Sequence, residues 1–173
     1  MKQVELMLFI ALLCGQLVFV QANMSGMVSY MSPSDGNMLC FKDTSSMHVR
    51  KMTTQHNDGP STAYARFTIS QGSIEGVGRA ELNCKIRETS SAFTVEISSV
   101  ETPKWSQSDN SCDDQPVSNR PFATVELSEG ATSLSADVTT DLKNSVAPHM
   151  YGLSFGATED TELELYDCNI KLY

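Results

Sequence analysis

The chain of 173 residues carries a formal net charge of −9, and 40% of it is hydrophobic, enough to bury a core of domain size. The acidic balance argues against nucleic acid and anionic membranes as partners, and it weakens the case for sulfated or uronic glycans. Five cysteines without a single C-x-x-C spacing argue against a zinc or redox centre.

The first stretch reads as a processing signal. Lys2 opens a short n-region, Leu6 to Val20 is apolar apart from Gly15 and Gln16, and Val20-Gln21-Ala22 forms a small-residue cleavage site. Residues 1–22 are therefore expected to be a signal peptide, and the protein to be secreted and extracellular. The apolar run falls short of the ~20 residues that span a bilayer, and no second long run follows, so no membrane insertion is expected. Removing the leader takes Cys14 and leaves Cys40, Cys84, Cys112 and Cys168, an even set suited to disulfides in an exported chain. Four cysteines allow three pairings.

Residues 23–37 are rich in Ser, Gly and Met without a clear period, which predicts an irregular N-terminal arm. Asn23-Met24-Ser25 is the only N-glycosylation sequon, which makes Asn23 the candidate acceptor. Residues 38–173 are expected to form a β-sandwich domain. Short strands are read over Met38 to Phe41 and Met47 to Met52, and His56 to Pro60 is a turn signal. Ala65, Phe67 and Ile69 alternate with Tyr64, Arg66 and Thr68, giving a strand with an apolar inner face.

Two further alternating runs follow, one with Ala80, Leu82, Cys84 and Ile86, the other with Phe93, Val95 and Ile97. They read as two half-buried antiparallel strands forming a hairpin, with Arg87 to Ser91 as its loop. Glu101 to Arg120 is a long polar segment containing Trp105 and Cys112, functional or clamped by a disulfide. Phe122 to Leu127 is the next strand, Glu129-Gly130 a turn, and Leu134, Ala136 and Val138 the strand after it. Asp137 to Lys143 offers a Thr or Asp cap before one helical turn. Tyr151, Leu153 and Phe155 make a strand, as do Leu163 and Leu165. The apolar parity then switches to Cys168, Ile170 and Leu172, which predicts a β-bulge near Asp167. About eight or nine antiparallel strands with almost no helix indicate a single all-β sandwich.

Gly152-Leu153-Ser154-Phe155-Gly156 matches the G-x-S-x-G nucleophile pattern as a string. That elbow needs a strand-to-helix turn and a later histidine, whereas His149 is the last histidine and more strand follows. Ser154 is expected to be an outward serine on a strand, and no enzyme is predicted. His48, His56 and His149 lack metal-ligand spacing. The carboxylate pairs Asp113-Asp114 and Glu159-Asp160 read as solvated loop acids. Asp43 and Asp167, with Asp113 and Asp114, are the candidates for a structural calcium ion; no other cofactor is expected. Sugar binding requires flat aromatic faces beside planar polar groups. Tyr64 and Arg66 meet this on one strand, and Tyr151 is a third candidate, while the lone Trp105 is read as a core anchor.

Several of these elements carry a resemblance. Ala63-Tyr-Ala-Arg-Phe67-Thr-Ile69 looks like the strand ending in R-F-D-L that opens the core of DNRLRE-type domains, which include carbohydrate-binding module family 96. Arg79-Ala-Glu-Leu82 resembles that family's A-x-L strand, and Val95 to Val100 with Trp105-Ser-Gln107 resembles its V-x-x-V…W-x-E element. Pro116, Asp137-Val-Thr139 and Tyr151-Gly-Leu153 match later positions in the same order, over roughly residues 43–166. The resemblance implies a jelly-roll sandwich that is a binding module rather than a catalyst. In such a sandwich the first and last strands often lie side by side, which implies Cys40 paired with Cys168 and Cys84 with Cys112. The expected function is a secreted, non-catalytic carbohydrate-binding module whose partner is an extracellular polysaccharide or glycan. The alternative is a structural component of an extracellular matrix, coat or secretion that binds matrix proteins.

Overall fold

The computed structural model describes residues 20–31, 39–41, 46–50, 61–87, 89–101, 115–145, 150–158 and 161–173. Ten strands and two short helices occur among them: β1 (Val20–Met31), β2 (Leu39–Phe41), β3 (Met47–Arg50), β4 (Ser61–Thr68), α1 (Gln71–Ile74), β5 (Ala80–Ile86), β6 (Phe93–Val100), β7 (Ser118–Leu127), β8 (Ser133–Asp137), α2 (Thr139–Asn144), β9 (Met150–Ala157) and β10 (Glu162–Leu172). Every strand pairing is antiparallel. Among the described residues no helix is long and apolar enough to cross a membrane.

The strands form a jelly-roll β-sandwich. One layer runs β1-β4-β9-β6-β7, the other β8-β5-β10, with β3 and the start of β1 beside β10. The inner faces interleave in one core, in which Phe67, Leu82, Ile97, Leu153, Phe155, Leu165 and Ile170 are fully buried. Alternation on β5 (Ala80, Leu82, Cys84, Ile86), β8 (Leu134, Ala136) and β9 (Tyr151, Leu153, Phe155) places these apolar residues in that core.

Three expectations are corrected. Residues 23–31 are not an irregular arm but most of β1, which crosses between layers: Val20 to Asn23 pair with β10, and Gly26 to Met31 pair with β4, across a bulge between Met24 and Gly26. Residues 32–38 and 1–19, the latter holding most of the expected leader, lie outside the described residues.

The second correction concerns the central pair. β5 and β6 do not form a hairpin; β5 pairs with β10 and β8, while β6 pairs with β9 and β7 in the opposite layer. Both strands face one core from opposite sides, so their alternation is the same as that of a hairpin. The connection between them is held by Thr89, which is buried. Its hydroxyl donates to the Ser128 carbonyl at 2.8 Å and accepts from the Ala131 N–H at 3.1 Å. Its carbonyl accepts from the Gly130 N–H at 2.9 Å, at a turn where Gly130 has φ 78°.

The third correction is the disulfide pairing. Cys84 is bonded to Cys168, with Cα atoms 4.1 Å apart, in place of the expected Cys40–Cys168 and Cys84–Cys112 bridges. The reason is topological: β10 lies directly beside β5. The expected bulge occurs there, as a register shift between Tyr166 and Asn169 with Asp167 at φ 50°. It turns the Cys168 side chain inward toward Cys84, and both cysteines are buried. Cys40 is also disulfide-bonded; Cys112 lies outside the described residues.

Candidate functional site

The sugar-binding candidates separate in space. Tyr64 does point away from the main core, but it is only 2% exposed. It packs with Val28, Tyr30 and Val100 in a second apolar cluster on the outer face of β4, edge-on to the Tyr30 ring at 5.5 Å, and its hydroxyl accepts from Gln115 Nε2 at 3.1 Å. It is a packing residue and presents no open platform for a sugar ring. Arg66 is half-buried on the same face, opposite Gly152. Ser154 also lies on this face, between Tyr64 and Ser98, and is buried rather than exposed as its strand position suggested.

Tyr151 has the parity of Leu153 and Phe155 and so points inward, again 2% exposed. Its phenol reaches out of the core and donates to Asp141 Oδ2 at 2.6 Å. Burial, with the adjacent Asp141 carboxylate, pushes the Tyr151 hydroxyl far above its ordinary value, so it remains a donor at any working pH.

Around this pair lies a groove of mixed polar and apolar lining at one end of the sandwich. It consists of two adjoining depressions, of ≈ 340 and ≈ 710 Å³, that share Asp141 and Asn144. The first is lined by Ser99, Val100 and Glu101 at the end of β6, by Asn119 on β7, and by Ser145 and Tyr151. The second continues past α2 along Phe122, Asp137, Thr139 and Thr140 to Gly78 and Arg79.

Local sequence explains how each wall is placed. Two register shifts in β6–β7, at Ile97/Ser98 and Ser98/Val100, bend the end of β6, and Pro121, which has no N–H to give a ladder, sits opposite Ser98. Across these strands Asn119 Nδ2 donates to Ser99 Oγ at 3.1 Å. Just ahead of helix α2 the Thr139 N–H donates to Asp137 Oδ1 at 2.8 Å, but the N-cap position is Val138, which makes no side-chain cap hydrogen bond, so the expected Thr or Asp cap is not formed. The Thr139 hydroxyl and N–H together hold the Asp137 carboxyl below its ordinary value. Thr139 Oγ1 also accepts from the Ala80 N–H at 2.7 Å, and buried Leu142 anchors the helix in the core. Asp141 in the first turn is thereby fixed where Tyr151 can reach it.

The lining is rich in acceptors. Glu101, Asp137 and Asp141 contribute carboxylates, and Arg79, largely exposed with its guanidinium 3.1 Å from Glu81 Oε2, adds a cation. Sequence reasoning reached only Tyr151 of this set as a ligand residue. Glu101, Asn119, Asp141 and Asn144 come from three separate elements, and no linear spacing signals them.

The calcium candidates fare differently. Asp43 lies outside the described residues, as do Asp113, Asp114 and Trp105. Asp167 is taken by Lys85, its Oδ2 lying 2.6 Å from the ammonium, and that carboxylate holds the Lys85 pKa above its ordinary value. Among the described residues no group of three His, Cys, Asp or Glu side chains is placed to hold a metal. Asn23 is exposed on β1 opposite Asn169, with Oδ1 accepting from Gln21 Nε2 at 2.8 Å.

Comparison with curated protein sequences finds no match. Among solved structures, the chain resembles a CBM4 structure (12% identity, TM-score 0.40, covering 88% of this chain and 78% of that one). It also resembles the xylan-binding module CBM15 (12% identity, TM-score 0.35, covering 90% and 96%). A third likeness is to the CBM22-1–GH10 modules of Clostridium thermocellum xylanase 10B complexed with xylohexaose (14% identity, TM-score 0.39), covering 88% of this chain but 27% of that longer one. The sequence model of carbohydrate-binding module family 96 matches residues 36–171, the whole sandwich apart from β1 and the last two residues. The chain therefore belongs to carbohydrate-binding module family 96.

Proposed function

We propose that this protein is a secreted, non-catalytic module that binds an extracellular polysaccharide in the groove beside α2. The observation that carries the reading is the lining of that groove in a chain of a carbohydrate-binding family: carboxylates, amides and hydroxyls around the Tyr151–Asp141 pair. Sugar hydroxyls are donors and acceptors on closely spaced carbons, and Asp and Asn side chains answer them with directional hydrogen bonds. Strand ends and the helix α2, anchored by buried Leu142, pre-arrange part of the lining, which limits the ordering cost of binding. Binding without turnover fits a site in which Asp141 is engaged by a phenol that does not ionise.

The test is affinity electrophoresis and pull-down of the folded protein on a panel of soluble and insoluble polysaccharides. Retention by at least one glycan, reduced by Asn144→Ala with an unchanged melting temperature, is expected. A folded sample that none of the panel retains overturns the proposal, and release of reducing ends overturns its non-catalytic part.

A further inference from the structure

We infer that the groove beside α2 continues onto the outer face of β5 and β10 as a track for a long polysaccharide chain, with the Tyr173 ring and Arg79 as its first subsite and Tyr166 at its far end. This inference rests on the carbohydrate-binding reading above and adds the length class of the glycan, a polymer rather than a short oligosaccharide, and the residues that sense it.

Three observations combine. First, groove and face share residues. Arg79 and Asp137 line the groove, and both stand on outward positions, beside the inward Ala80 of β5 and Ala136 of β8. Second, the two exposed aromatic side chains among the described residues, Tyr166 at 36% and Tyr173 at 39%, lie on this same face. They share it because the bulge at Asp167 shifts the parity of β10: Glu164 and Tyr166 point outward before it, Asn169, Lys171 and Tyr173 after it. Third, the parts are held by main chain. Tyr173 and Arg79 exchange N–H to carbonyl bonds of 2.9 and 3.2 Å, and the Arg79 guanidinium lies 6.0 Å from the centre of the Tyr173 ring. Between the two tyrosines Asn169 stands opposite Asn83, and Asn169 Oδ1 has no hydrogen-bond partner among the described residues, so the bonding capacity of that amide is not used within the sandwich.

An aromatic face takes the C–H side of a pyranose ring, and amides give directional hydrogen bonds to its hydroxyls. Arg79 and Lys85 are the residues of β5 opposite Tyr173 and Tyr166, and the strand advances about 20 Å between them. That length takes several rings of an extended chain. A short oligosaccharide seated beside Asp141 does not reach it. Each stacking contact adds a modest gain, and the gains combine only for a ligand long enough to touch groove and face at once.

The experiment measures binding of arabinoxylan, mixed-linkage glucan and alginate, each as the polymer and as its trisaccharide, by affinity gel and calorimetry. For a glycan that binds, wild type is expected to hold the polymer at least about tenfold more tightly per site than the trisaccharide. Tyr173→Ala should weaken polymer binding about fivefold, as loss of one aromatic contact does, and leave the trisaccharide and the melting temperature unchanged. Tyr173→Phe keeps the ring and should keep the polymer affinity. Tyr166→Ala should weaken the polymer severalfold, and it carries the test alone should Tyr173→Ala fail to fold. Asn144→Ala, inside the groove, should weaken polymer and trisaccharide alike. Equal affinity of wild type for polymer and trisaccharide overturns the inference and leaves carbohydrate binding intact. So does an unmoved polymer affinity in either folded alanine variant, or a loss in those variants that polymer and trisaccharide share equally. Binding of no glycan overturns both readings.

Discussion

Removal of the Cys84–Cys168 bridge is the perturbation with the largest calculable effect. The bond joins residues 84 apart in sequence and ties β5 to β10 beside the bulge at Asp167. In the chain-entropy model, opening a loop of that length returns about 15 cal/mol/K to the unfolded chain, or about 4.5 kcal/mol at 25 °C. Both sulfurs are buried, so Cys84→Ala/Cys168→Ala also loses their packing, which acts in the same direction. At roughly 2–4 °C per kcal/mol for a domain of this size, the melting temperature should fall by roughly 9–18 °C. Guanidinium denaturation under oxidising conditions checks this: the midpoint should drop with the double variant, and by at least as much with reductant on wild type, which also opens the Cys40 bridge. A double variant within about 0.5 kcal/mol of wild type would refute the loop-entropy reasoning, since such a change is ordinary for surface sites. Non-reducing peptide mapping that joins Cys168 to Cys40 would refute the pairing itself.

Thr89→Val removes a hydroxyl that bonds both the Ser128 carbonyl and the Ala131 N–H, and should cost about 1–3 kcal/mol, read from urea midpoints. A hairpin between β5 and β6 would make the same change nearly silent. Phe155→Ala, at a fully buried position between Ala63 of β4 and Ile97 of β6, should cost about 3–5 kcal/mol in the same assay. Asp137 has a lowered folded pKa, so its stabilisation is full above the unfolded value of 3.8 and is lost as pH falls through the folded value; Asp137→Asn should flatten that acid limb of a stability–pH profile and leave the neutral plateau's shape unchanged. Expression through a secretory pathway should give a chain beginning at Asn23 by intact mass; an N-terminus upstream of Val20 would show that all four β1–β10 rungs are retained.

Period-two alternation made the strands legible where one face is buried and the other wet, as on β5 and β8. It failed on β1 for a physical reason. Ala22 and Met27 face the main core while Val28 and Tyr30 are buried on the opposite face, and the bulge between Met24 and Gly26 breaks the parity besides. A strand buried on both sides and interrupted by a bulge has no alternation to read. Alternation is also silent on pairing. The inward sets of β5 and β6 are equally consistent with neighbours in one sheet and with opposite walls of a sandwich. What separates the cases is the six-residue connection, where the buried hydroxyl of Thr89 is committed to the β7–β8 turn. The Cys84–Cys168 bridge follows from the same arrangement, because β5 has β10 for a neighbour.

The site was less legible than the fold because its chemistry depends on depth as well as direction. Tyr64 and Arg66 were correctly placed on the outer face of β4, yet Tyr64 is covered by Val28, Tyr30 and Val100, whose approach no local pattern announces. Tyr151 shows the converse. Its parity puts it in the core, and a residue there is ordinarily dismissed as packing. A tyrosine, however, is long enough to bury its ring and still deliver its hydroxyl to the rim, and a buried hydroxyl must find a partner. That partner is Asp141, ten residues earlier, in the short helical turn read over Asp137 to Lys143. A tyrosine on an inward strand position just after a short helical turn with an acidic residue therefore carried a usable signal. The phenol had to leave the core at the strand's end, and the acidic first turn of α2 was the nearest acceptor.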